Sequence, residues 1–488
     1  MIDQTALWKG YAGRGFTPSV RAGREPAGNG ARWEDPEAFR DALERIDVHG
    51  ASCSHGGVPL IGDAEGVYVD PGDSHTLIIG STGSMKSRLM CMPGLEIMSR
   101  AGESVVVTDP KGELFDTVGA AFYQRGYDVG VINLRDPMKG MRWNPLHMPL
   151  ELIRNGHLDD ARALVLDLAM DLIPIEARND PYWESSSQML FYGMAWYLLI
   201  RAGEKDTVTI SDVVENALDA VNGVGYYSFE DEPECVGVTV VTKLPENTKN
   251  CVMGVFTQKL WHFVSESSVV DLLSGCDIDI HTVGKRNTAL FLIVPDEKCT
   301  YNALVSAFIK QLYSALIADA QGCEQGSLPV RVNFMLDEFA NFPRIPNMQS
   351  MITASRSRNI RFTLVLQTEK QLRALYGDEA DAIRDNCANW VFLTGRDIRF
   401  LNELCDLIGD DDQGKPLISI SRLQRLEKKT ALVLCGRMNP IISPLIDIGD
   451  YGLGYEKPVL ESREPIKKDD LKKSRKDYAE DLRKFFND

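Results

Sequence analysis

Short apolar runs alternate with helical patterns in two stretches of the chain, before and after its middle. Each run is followed by turn residues and then by apolar positions at helical spacing, which is typical of a parallel sheet covered by helices on both faces. The predicted strands are Thr76–Ile79, Ser104–Thr108, Val129–Asn133, Thr288–Val294, Val332–Leu336, Phe362–Leu366, Val391–Leu393 and Ala431–Cys435. We therefore predict an α/β fold with a wound, mainly parallel sheet.

The stretch from residue 150 to residue 263 has a different pattern and is mainly helical. Apolar residues recur at helical spacing over Leu158–Ile173, Tyr182–Arg201 and Ser211–Val221, where Ser211 is a candidate N-cap. Because this block interrupts the alternation of strands and helices, we predict an all-α domain inserted into the α/β domain.

These patterns divide the chain into five segments. The predicted segments are an N-terminal extension (1–62), the first part of the α/β domain (63–149), the all-α domain (150–263), the second part of the α/β domain (264–450) and a charged C-terminal tail (451–488). The extension is rich in Gly, Arg and Pro and contains one helical candidate, Pro36–Ile46. Glu461–Asp488 mixes acidic and basic residues, which predicts a solvated tail or a lone amphipathic helix.

Composition narrows the classes of protein. With 488 residues, 44% of them hydrophobic, the chain can build a full core, and a net charge of −17 (53 basic against 70 acidic residues) excludes a surface coated for general nucleic-acid binding. It leaves room for a local basic pore or groove. Apolar stretches such as Met189–Ile200 are shorter than the ~18–20 residues of a membrane span. Met1–Gly13 lacks a signal peptide's apolar region, so we expect a cytoplasmic chain without a transmembrane segment.

A Gly/Ser-rich loop between the first strand and its helix is a candidate phosphate-binding loop. It consists of Gly80, Ser81, Thr82, Gly83, Ser84, Met85, Lys86 and Ser87. Backbone N–H groups and the following helix N-terminus give such a loop a positive potential that favours phosphate oxygens. We expect Lys86 to reach the β- and γ-phosphates of ATP and Ser87 to ligate Mg²⁺. The alternative is an ordinary Gly/Ser turn.

Met85 is a departure from the phosphate-loop pattern, which has Gly at this position. Gly avoids a side chain at the phosphate cradle and tolerates an unusual φ. Met fits if its side chain points away from the phosphates, at a strain of order 1–3 kcal/mol.

An acidic pair, Asp337-Glu338, follows the strand Val332–Leu336. The carboxyl ends of strands are where nucleotide chemistry occurs in wound α/β sheets. We expect Asp337 to hold Mg²⁺ and Glu338 to orient and polarise the attacking water as a general base. A solvated strand end is the alternative.

Polar and basic residues around the next strand extend this candidate site. Gln367 ends that strand and could contact the γ-phosphate or its water. Before the strand, Arg356 and Arg358 could stabilise transition-state charge in a neighbouring subunit or contact a DNA backbone. The alternative is exposed arginines that offset an acidic surface.

The order of these motifs resembles the type IV coupling proteins of bacterial conjugation (TraG/TraD-like) from about Gly62 to Ile448. The residues that carry the resemblance are Gly80–Ser87, Asp109-Pro110-Lys111-Gly112-Glu113-Leu114, Trp143-Asn144-Pro145-Leu146, Leu336-Asp337-Glu338-Phe339, and Leu366-Gln367-Thr368 with Gln371-Leu372. The most specific are the Asp109 segment and the stretch Asp337-Glu338-Phe339-Ala340-Asn341.

The resemblance implies a RecA-like P-loop ATPase domain interrupted by an all-α domain. It also implies homo-hexamers with ATP and Mg²⁺ between subunits, single- or double-stranded DNA near a central channel, and a relaxase and type IV secretion channel components as partners. By position, Lys86, Ser87, Asp337 and Glu338 match the two nucleotide motifs, Gln367 matches the next one, and Arg356 matches the arginine presented to the neighbour. Arg358 is an alternative for that last role.

The chain departs from the resembled family at two points. The family usually begins with transmembrane helices, so a chain without them would reach the inner face of the cell membrane peripherally, through a separate anchor, or belong to a soluble subgroup. Met85 puts fast hydrolysis in doubt. Two alternatives to ATP-driven coupling therefore stay open: a DNA translocase of the segregation or packaging kind, and a nucleotide-gated substrate receptor with little ATPase activity.

Overall fold

The computed structural model describes residues 30–64, 66–176, 180–229, 232–295 and 299–465. Its strands are β1 (Glu44–Ile46), β2 (Pro59–Asp63), β3 (Gly66–Val69), β4 (Thr76–Gly80), β5 (Ser104–Asp109), β6 (Asp128–Asn133), β7 (Thr288–Ile293), β8 (Val332–Leu336), β9 (Ile360–Leu366), β10 (Asn389–Thr394), β11 (Thr430–Cys435) and β12 (Ile441–Pro444). All eight strands predicted from the sequence are present, each within two residues of its predicted ends.

The helices follow the same alternation. They are α1 (Pro36–Asp41), α2 (Met92–Arg100), α3 (Glu113–Gln124), α4 (His147–Arg154), α5 (Leu158–Leu172), α6 (Pro181–Arg201), α7 (Ile210–Val221), α8 (Val236–Thr242), α9 (Glu246–Ser265), α10 (Ser267–Leu272), α11 (Asn302–Gln321), α12 (Met348–Ser355), α13 (Glu369–Tyr376), α14 (Glu379–Asp385), α15 (Ile398–Ile408) and α16 (Ile420–Leu423). One prediction is wrong in detail. The N-cap of α7 is Thr209, which forms a reciprocal capping box with Asp212, rather than Ser211.

Nine strands form the central sheet, in the order β12-β11-β10-β4-β9-β8-β5-β7-β6. The seven strands from β10 to β6 are parallel, and β11 and β12 add an antiparallel edge. None of β4, β5 and β6 pairs with another of the three. Each pairs only with strands that come after the helical block. The chain segments before and after this block therefore build one common sheet.

Side chains alternate between the two faces of this sheet, as expected for strands buried on both sides. Ile78, Val105 and Val107 lie in one apolar core with α2 and α3. Leu77 and Val106 lie in the other core, which continues into the helical block. The two cores fix the strand ends, and therefore the loops that follow them.

The helical block α4–α10 is anchored to the α/β domain at its base. Trp143 is buried and packs edge-to-face on Phe308 of α11, with ring centroids 5.2 Å apart. Gln311 of α11 donates a hydrogen bond to the carbonyl of Pro145 at 2.8 Å. The Trp143–Leu146 motif therefore has a structural role at the junction.

A small sheet that the sequence analysis did not predict spans the boundary between the predicted N-terminal extension and the first part of the α/β domain. Helix α1 ends at Asp41, and the last three residues of the helical candidate Pro36–Ile46 form strand β1. Strands β1, β3 and β2 form a three-stranded antiparallel sheet. Residues 1–29 of the predicted extension lie outside the described residues.

The segment after β12, as far as residue 465, contacts helices α2 and α10 through two side chains. The hydroxyl of Tyr455 donates to the buried carboxylate of Glu96 at 3.1 Å. Arg463 pairs with Asp271 of α10 at 2.9 Å. The predicted charged tail or amphipathic helix beyond residue 465 lies outside the described residues.

One described helix, α11, is long and apolar enough to cross a membrane by length and composition. Within its most apolar window, 72% of the residues are buried inside the structure. Such burial is also found in core helices of soluble folds. The sequence analysis, which considered Met189–Ile200, had not singled out this helix.

Candidate nucleotide site at the carboxyl edge of the sheet

The candidate phosphate loop leaves the carboxyl end of β4 and turns directly into a helix. The N–H of Ser81 donates to the carbonyl of Thr394 at the end of β10, and the N–H of Ser84 donates to the carbonyl of Ser81. The first helical residues, Ser87–Cys91, form a π-helical turn before α2 begins. Such turns are frequent at functional sites. The context of strand, loop and helix N-terminus is that of an anion site.

Lys86 lies under this loop with 8% of its surface exposed. Its Nζ donates a hydrogen bond to the carbonyl of Gly80 at 2.6 Å. The buried hydroxyl of Ser84 has no hydrogen-bond partner among the described residues. Because buried polar groups are normally paired, these donors are available for a ligand in the loop.

Met85 has the backbone conformation that the glycine of the pattern would supply. Its φ is 68°, in the left-handed region, and φ of Gly83 is 81°. The Met85 side chain is half-buried and packs on the core formed by α2 and the neighbouring strands. The expected orientation away from the phosphates is therefore compatible with the structure, at the strain typical of a non-glycine residue in this region.

The acidic pair lies on β8, which is separated from β4 only by β9. Asp337 is buried, with 6% of its surface exposed. Burial, followed by the nearby carboxylates of Glu338 and Asp109, raises the pKa of its carboxyl to about 7, although Lys86 acts in the opposite direction. Glu338 has a left-handed backbone, with φ 52°. A strained turn places both carboxylates at the same edge as the phosphate loop.

Gln367, at the end of β9, joins the two motifs through hydrogen bonds. Its Nε2 donates to Oε1 of Glu338 at 3.0 Å. Its Oε1 accepts a hydrogen bond from Oγ1 of Thr82 at 3.3 Å. The structure thus brings the phosphate loop, the glutamine and the acidic pair into one site.

The sequence analysis missed a third carboxylate, that of Asp109. It ends β5, the strand beside β8, and is fully buried. One oxygen, Oδ2, accepts a hydrogen bond from the N–H of Phe115 at 2.9 Å, while Oδ1 has no hydrogen-bond partner in the part of the chain that the structure describes. Burial raises the pKa of Asp109 to about 6. The available signal was an acidic residue at the end of a predicted strand, but only the strand order places it beside Asp337.

The donor set fits Mg²⁺ held jointly by protein and phosphate. Asp337 and Asp109 are two buried carboxylates near one buried cation, Lys86, so the site has an excess of negative charge. Oxygen ligands suit Mg²⁺, which keeps several waters and is bound through one or two carboxylates plus substrate phosphates. Among the described residues, no cluster of three or more metal-binding side chains is found that could form an all-protein site.

The arginines predicted to act in a neighbouring subunit lie at the other end of the sheet. Arg356 and Arg358 precede β9, whereas the nucleotide site follows the strand ends. Arg356 pairs with Asp73 at 2.8 Å, and Nη1 of Arg358 donates to the carbonyl of Ala354 at 2.6 Å. Neither residue is positioned to act on the site of its own chain.

Comparison with protein families gives a match over residues 44–399 to the family described as "Type IV secretory system Conjugative DNA transfer". Among characterised relatives, Protein VirD4 of Agrobacterium fabrum is 23% identical over 405 residues, 76% of this chain and 58% of the relative. Conjugal transfer protein TraG of Escherichia coli is 24% identical over 343 residues, 65% of this chain and 52% of the relative. This chain therefore spans just over half the length of these relatives.

The fold is also found in solved structures. A plasmid coupling protein TrwB in complex with the ATP analogue ADPNP is similar with a TM-score of 0.59 and 16% identity, covering 93% of this chain and 98% of that one. A TrwB structure with ADP and Mg²⁺ has the same TM-score and covers 89% of this chain and 96% of that one. These similarities support the predicted RecA-like α/β fold.

Proposed function

We propose that this chain, which belongs to the type IV secretory system conjugative DNA transfer family, is an ATP-driven coupling protein. In this proposal it recruits relaxase-bound DNA and delivers it to a type IV secretion channel. The observation that carries the proposal is the hydrogen-bonded connection from the phosphate loop through Gln367 to Glu338, beside the buried carboxylates of Asp337 and Asp109. One relative is named a conjugal transfer protein, and a solved structure similar to this chain is in complex with an ATP analogue.

Each residue of the site has a role that follows from its position. Lys86 binds the β- and γ-phosphates, because its ammonium lies under the loop beside the Gly80 carbonyl. Ser87 and Asp337 hold Mg²⁺, with Asp109 near Asp337 on the neighbouring strand. The ion, when bound, neutralises charge on the phosphate oxygens. A raised pKa of Asp337 means that its protonated form must lose a proton before it can hold the ion.

Glu338 is the proposed general base, which orients the attacking water and accepts its proton. Gln367 holds one oxygen of Glu338 at 3.0 Å, which leaves the other oxygen for the water. Because the other end of the Gln367 side chain contacts Thr82, a movement of the phosphate loop would shift Gln367 and, through it, the carboxylate of Glu338. This arrangement couples nucleotide occupancy to the position of Glu338.

The assembly and partners belong to the proposal as well. We propose a homo-hexamer in which Arg356, or Arg358 in its place, reaches the nucleotide of the neighbouring subunit, because neither reaches its own. Partners are single- or double-stranded DNA, a relaxase and channel components, with the helical block α4–α10 as the surface that recognises the relaxase-bound DNA. The proposed location is the inner face of the cell membrane, peripheral, through a separate anchor protein.

The receptor alternative is weakened by the backbone of Met85. That alternative rested on a side chain crowding the phosphates, and φ of 68° with the side chain on the core is compatible with a normal cradle. The helical block, inserted between β6 and β7, favours coupling over a simple DNA translocase.

The test is a steady-state ATPase assay with Mg²⁺ and with single- or double-stranded DNA at two salt concentrations. We expect Lys86→Ala and Glu338→Gln to lower kcat at least ~100-fold, the scale of losing a positioned base or charge. Lys370→Ala, a change at an exposed lysine of α13, should stay within about twofold of wild type.

Two outcomes would contradict the proposal. A wild type that binds ADPNP but does not hydrolyse ATP, with activity gained in Met85→Gly, would favour the receptor alternative. A wild type that binds no nucleotide at all would exclude both the motor and the receptor.

A further inference from the structure

The turn after β12 lies directly against the helix that follows the phosphate loop. Asp447 precedes this turn, Ile448–Tyr451, which contacts the π-helical turn Ser87–Cys91. Asp447 is buried, with 3% of its surface exposed. Neither β12 nor this turn was assigned a role by the sequence motifs.

Asp447 forms a two-pronged ion pair with Arg88, the residue after Ser87. Nε of Arg88 donates to Oδ2 of Asp447 at 2.9 Å, and Nη2 pairs with Oδ1. Oδ1 also accepts the N–H of Gly449 at 2.9 Å, which fixes the carboxylate. Arg–carboxylate forks of this kind specify orientation as well as contact. Arg88 is therefore held in one direction by a buried carboxylate that is itself hydrogen-bonded to the backbone.

Met85, on the other side of the ligand-binding residues, has a half-buried side chain that packs on the large apolar core on this side of the sheet. The two residues expected to bind phosphate and Mg²⁺, Lys86 and Ser87, thus lie between this core contact and the ion pair of Arg88. The ion pair is made with a residue 359 positions away in the chain.

The backbone from Met85 to Cys91 has an unfavourable conformation that needs support from its surroundings. Met85 has a φ of 68°, which a non-glycine residue rarely adopts, and the helix begins with a π-helical rather than an α-helical turn. Such conformations persist only where the surroundings over-determine them. With glycine at position 85, as the phosphate-loop pattern has it, less external support would be required.

We propose that Asp447 is a positioning residue of the nucleotide site: through Arg88 it holds the strained start of the phosphate-loop helix in its binding-competent conformation. This inference rests on the proposed function for its readout in nucleotide binding, but its structural claim about the loop does not.

The first measurement is nucleotide affinity. The apparent Kd equals the intrinsic Kd divided by the fraction of molecules whose phosphate loop is in the binding-competent conformation. If the ion pair between Asp447 and Arg88 maintains that fraction, removing the pair lowers the fraction and raises the apparent Kd. We expect Asp447→Asn to weaken binding of Mg²⁺ with ADPNP about tenfold and to raise KM for ATP similarly, with kcat within about twofold. Arg88→Gln, which breaks the pair from its half-exposed end, should do the same and guards against a folding defect at the buried position.

Asp450→Asn is the matched control. Asp450 lies in the same turn and pairs with Lys429 at 2.9 Å, but both side chains are about half exposed. This variant should bind the nucleotide as the wild type does. A loss of affinity as large as that of Asp447→Asn would overturn the proposal, because it would mean that any change in the turn has the effect.

The second measurement is amide hydrogen exchange without nucleotide. The N–H of Leu89 donates to the carbonyl of Met85 at 2.9 Å and reports on the loop conformation. We expect exchange at residues 84–91 to be about tenfold faster in Asp447→Asn and unchanged in Asp450→Asn. Unchanged exchange in Asp447→Asn would overturn the positioning role of Asp447. This result does not depend on whether the wild type binds nucleotide.

A rescue variant separates positioning from general stability. Because glycine adopts φ near 70° readily, Met85→Gly in the Asp447→Asn background should restore most of the affinity. A purely structural role of Asp447 predicts no rescue, and equal losses with and without Met85→Gly would contradict the proposal.

Discussion

The two ends of the central sheet each bury a group of charged residues, and the two groups are built in opposite ways. At the amino ends of the strands, the fully buried Arg361 pairs with Glu103 at 3.0 Å and donates to Asn333 at 2.8 Å. At the carboxyl ends, Asp337 and Asp109 are buried near Lys86, and Oδ1 of Asp109 has no hydrogen-bond partner within residues 30–465 as far as these are described.

The pKa values record this difference. At the amino edge, burial alone would raise the pKa of Glu103, but the guanidinium groups of Arg361 and Arg331 lower it. At the carboxyl edge, burial raises the pKa of Asp337 to about 7. One edge is a satisfied network that supports the fold. The other has an unpaired carboxylate oxygen among the described residues, as expected for a site that a cation and a phosphate would complete.

The largest expected effect is at the satisfied edge. Glu103→Leu leaves the guanidinium of Arg361 buried without its ionic partner, and breaking such a pair costs on the order of 3–5 kcal/mol. Denaturant unfolding monitored by circular dichroism measures this loss. The control is Asp159→Ala, which removes an exposed pair with Arg162 and should change the free energy of unfolding by less than about 1 kcal/mol.

The next effect has the opposite sign. Asp337→Asn removes a buried charge that lacks full compensation, so we expect the nucleotide-free protein to become more stable, by about 1 kcal/mol. The variant should also lose the stabilisation that Mg²⁺ with ADPNP gives the wild type. Thermal unfolding with and without these ligands tests both. A destabilisation as large as that of Glu103→Leu would show that the two edges do not differ.

The smallest effect is a pH dependence that sharpens the comparison. Asp337, with a folded pKa of about 7 against 3.8 in the unfolded chain, adds stability as the pH falls from about 7 towards 4. His75, at the amino end of β4, has a pKa lowered to about 4 by burial. As the pH falls from 6.5 towards 4, the unfolded chain binds a proton at this side chain that the folded chain does not, so the folded state loses stability. The two contributions oppose each other in the wild type.

Replacing His75 therefore removes one of the two opposing contributions and leaves the pH dependence that comes from Asp337. In His75→Gln the unfolding temperature should rise by about 1–3 °C relative to wild type on going from pH 7 to pH 5. In the double variant with Asp337→Asn the rise should disappear. An equal pH profile in all three proteins would contradict the assignment of these charges.

The strands and the phosphate loop were predictable because they depend on local sequence. Each predicted strand is a short apolar run bounded by turn residues, and Gly80–Ser87 has a recognisable spacing. The role of Asp109 was not predictable in the same way, since it depends on β5 lying next to β8. The contact of Asp447 with Arg88 spans 359 positions and has no local signal.

The small sheet β1–β3 and the position of the arginines show the same limit. The strands of this sheet are three to five residues long and lie in a Gly-rich stretch, where periodicity carries little information. Arg356 was predicted from its neighbours in sequence, whereas its location opposite the nucleotide site follows from the direction of β9. Long-range pairing, rather than propensity, decides such features.

The interleaving of the central strands has a consequence for biosynthesis. Since β4, β5 and β6 have only later strands as neighbours, none of them can form its sheet hydrogen bonds while the ribosome is still translating the helical block. The nascent chain must keep three apolar segments unpaired until β7 to β10 emerge, and such segments are aggregation-prone. A chaperone or slow translation after the helical block would therefore matter more for the yield of this protein than for its stability once folded.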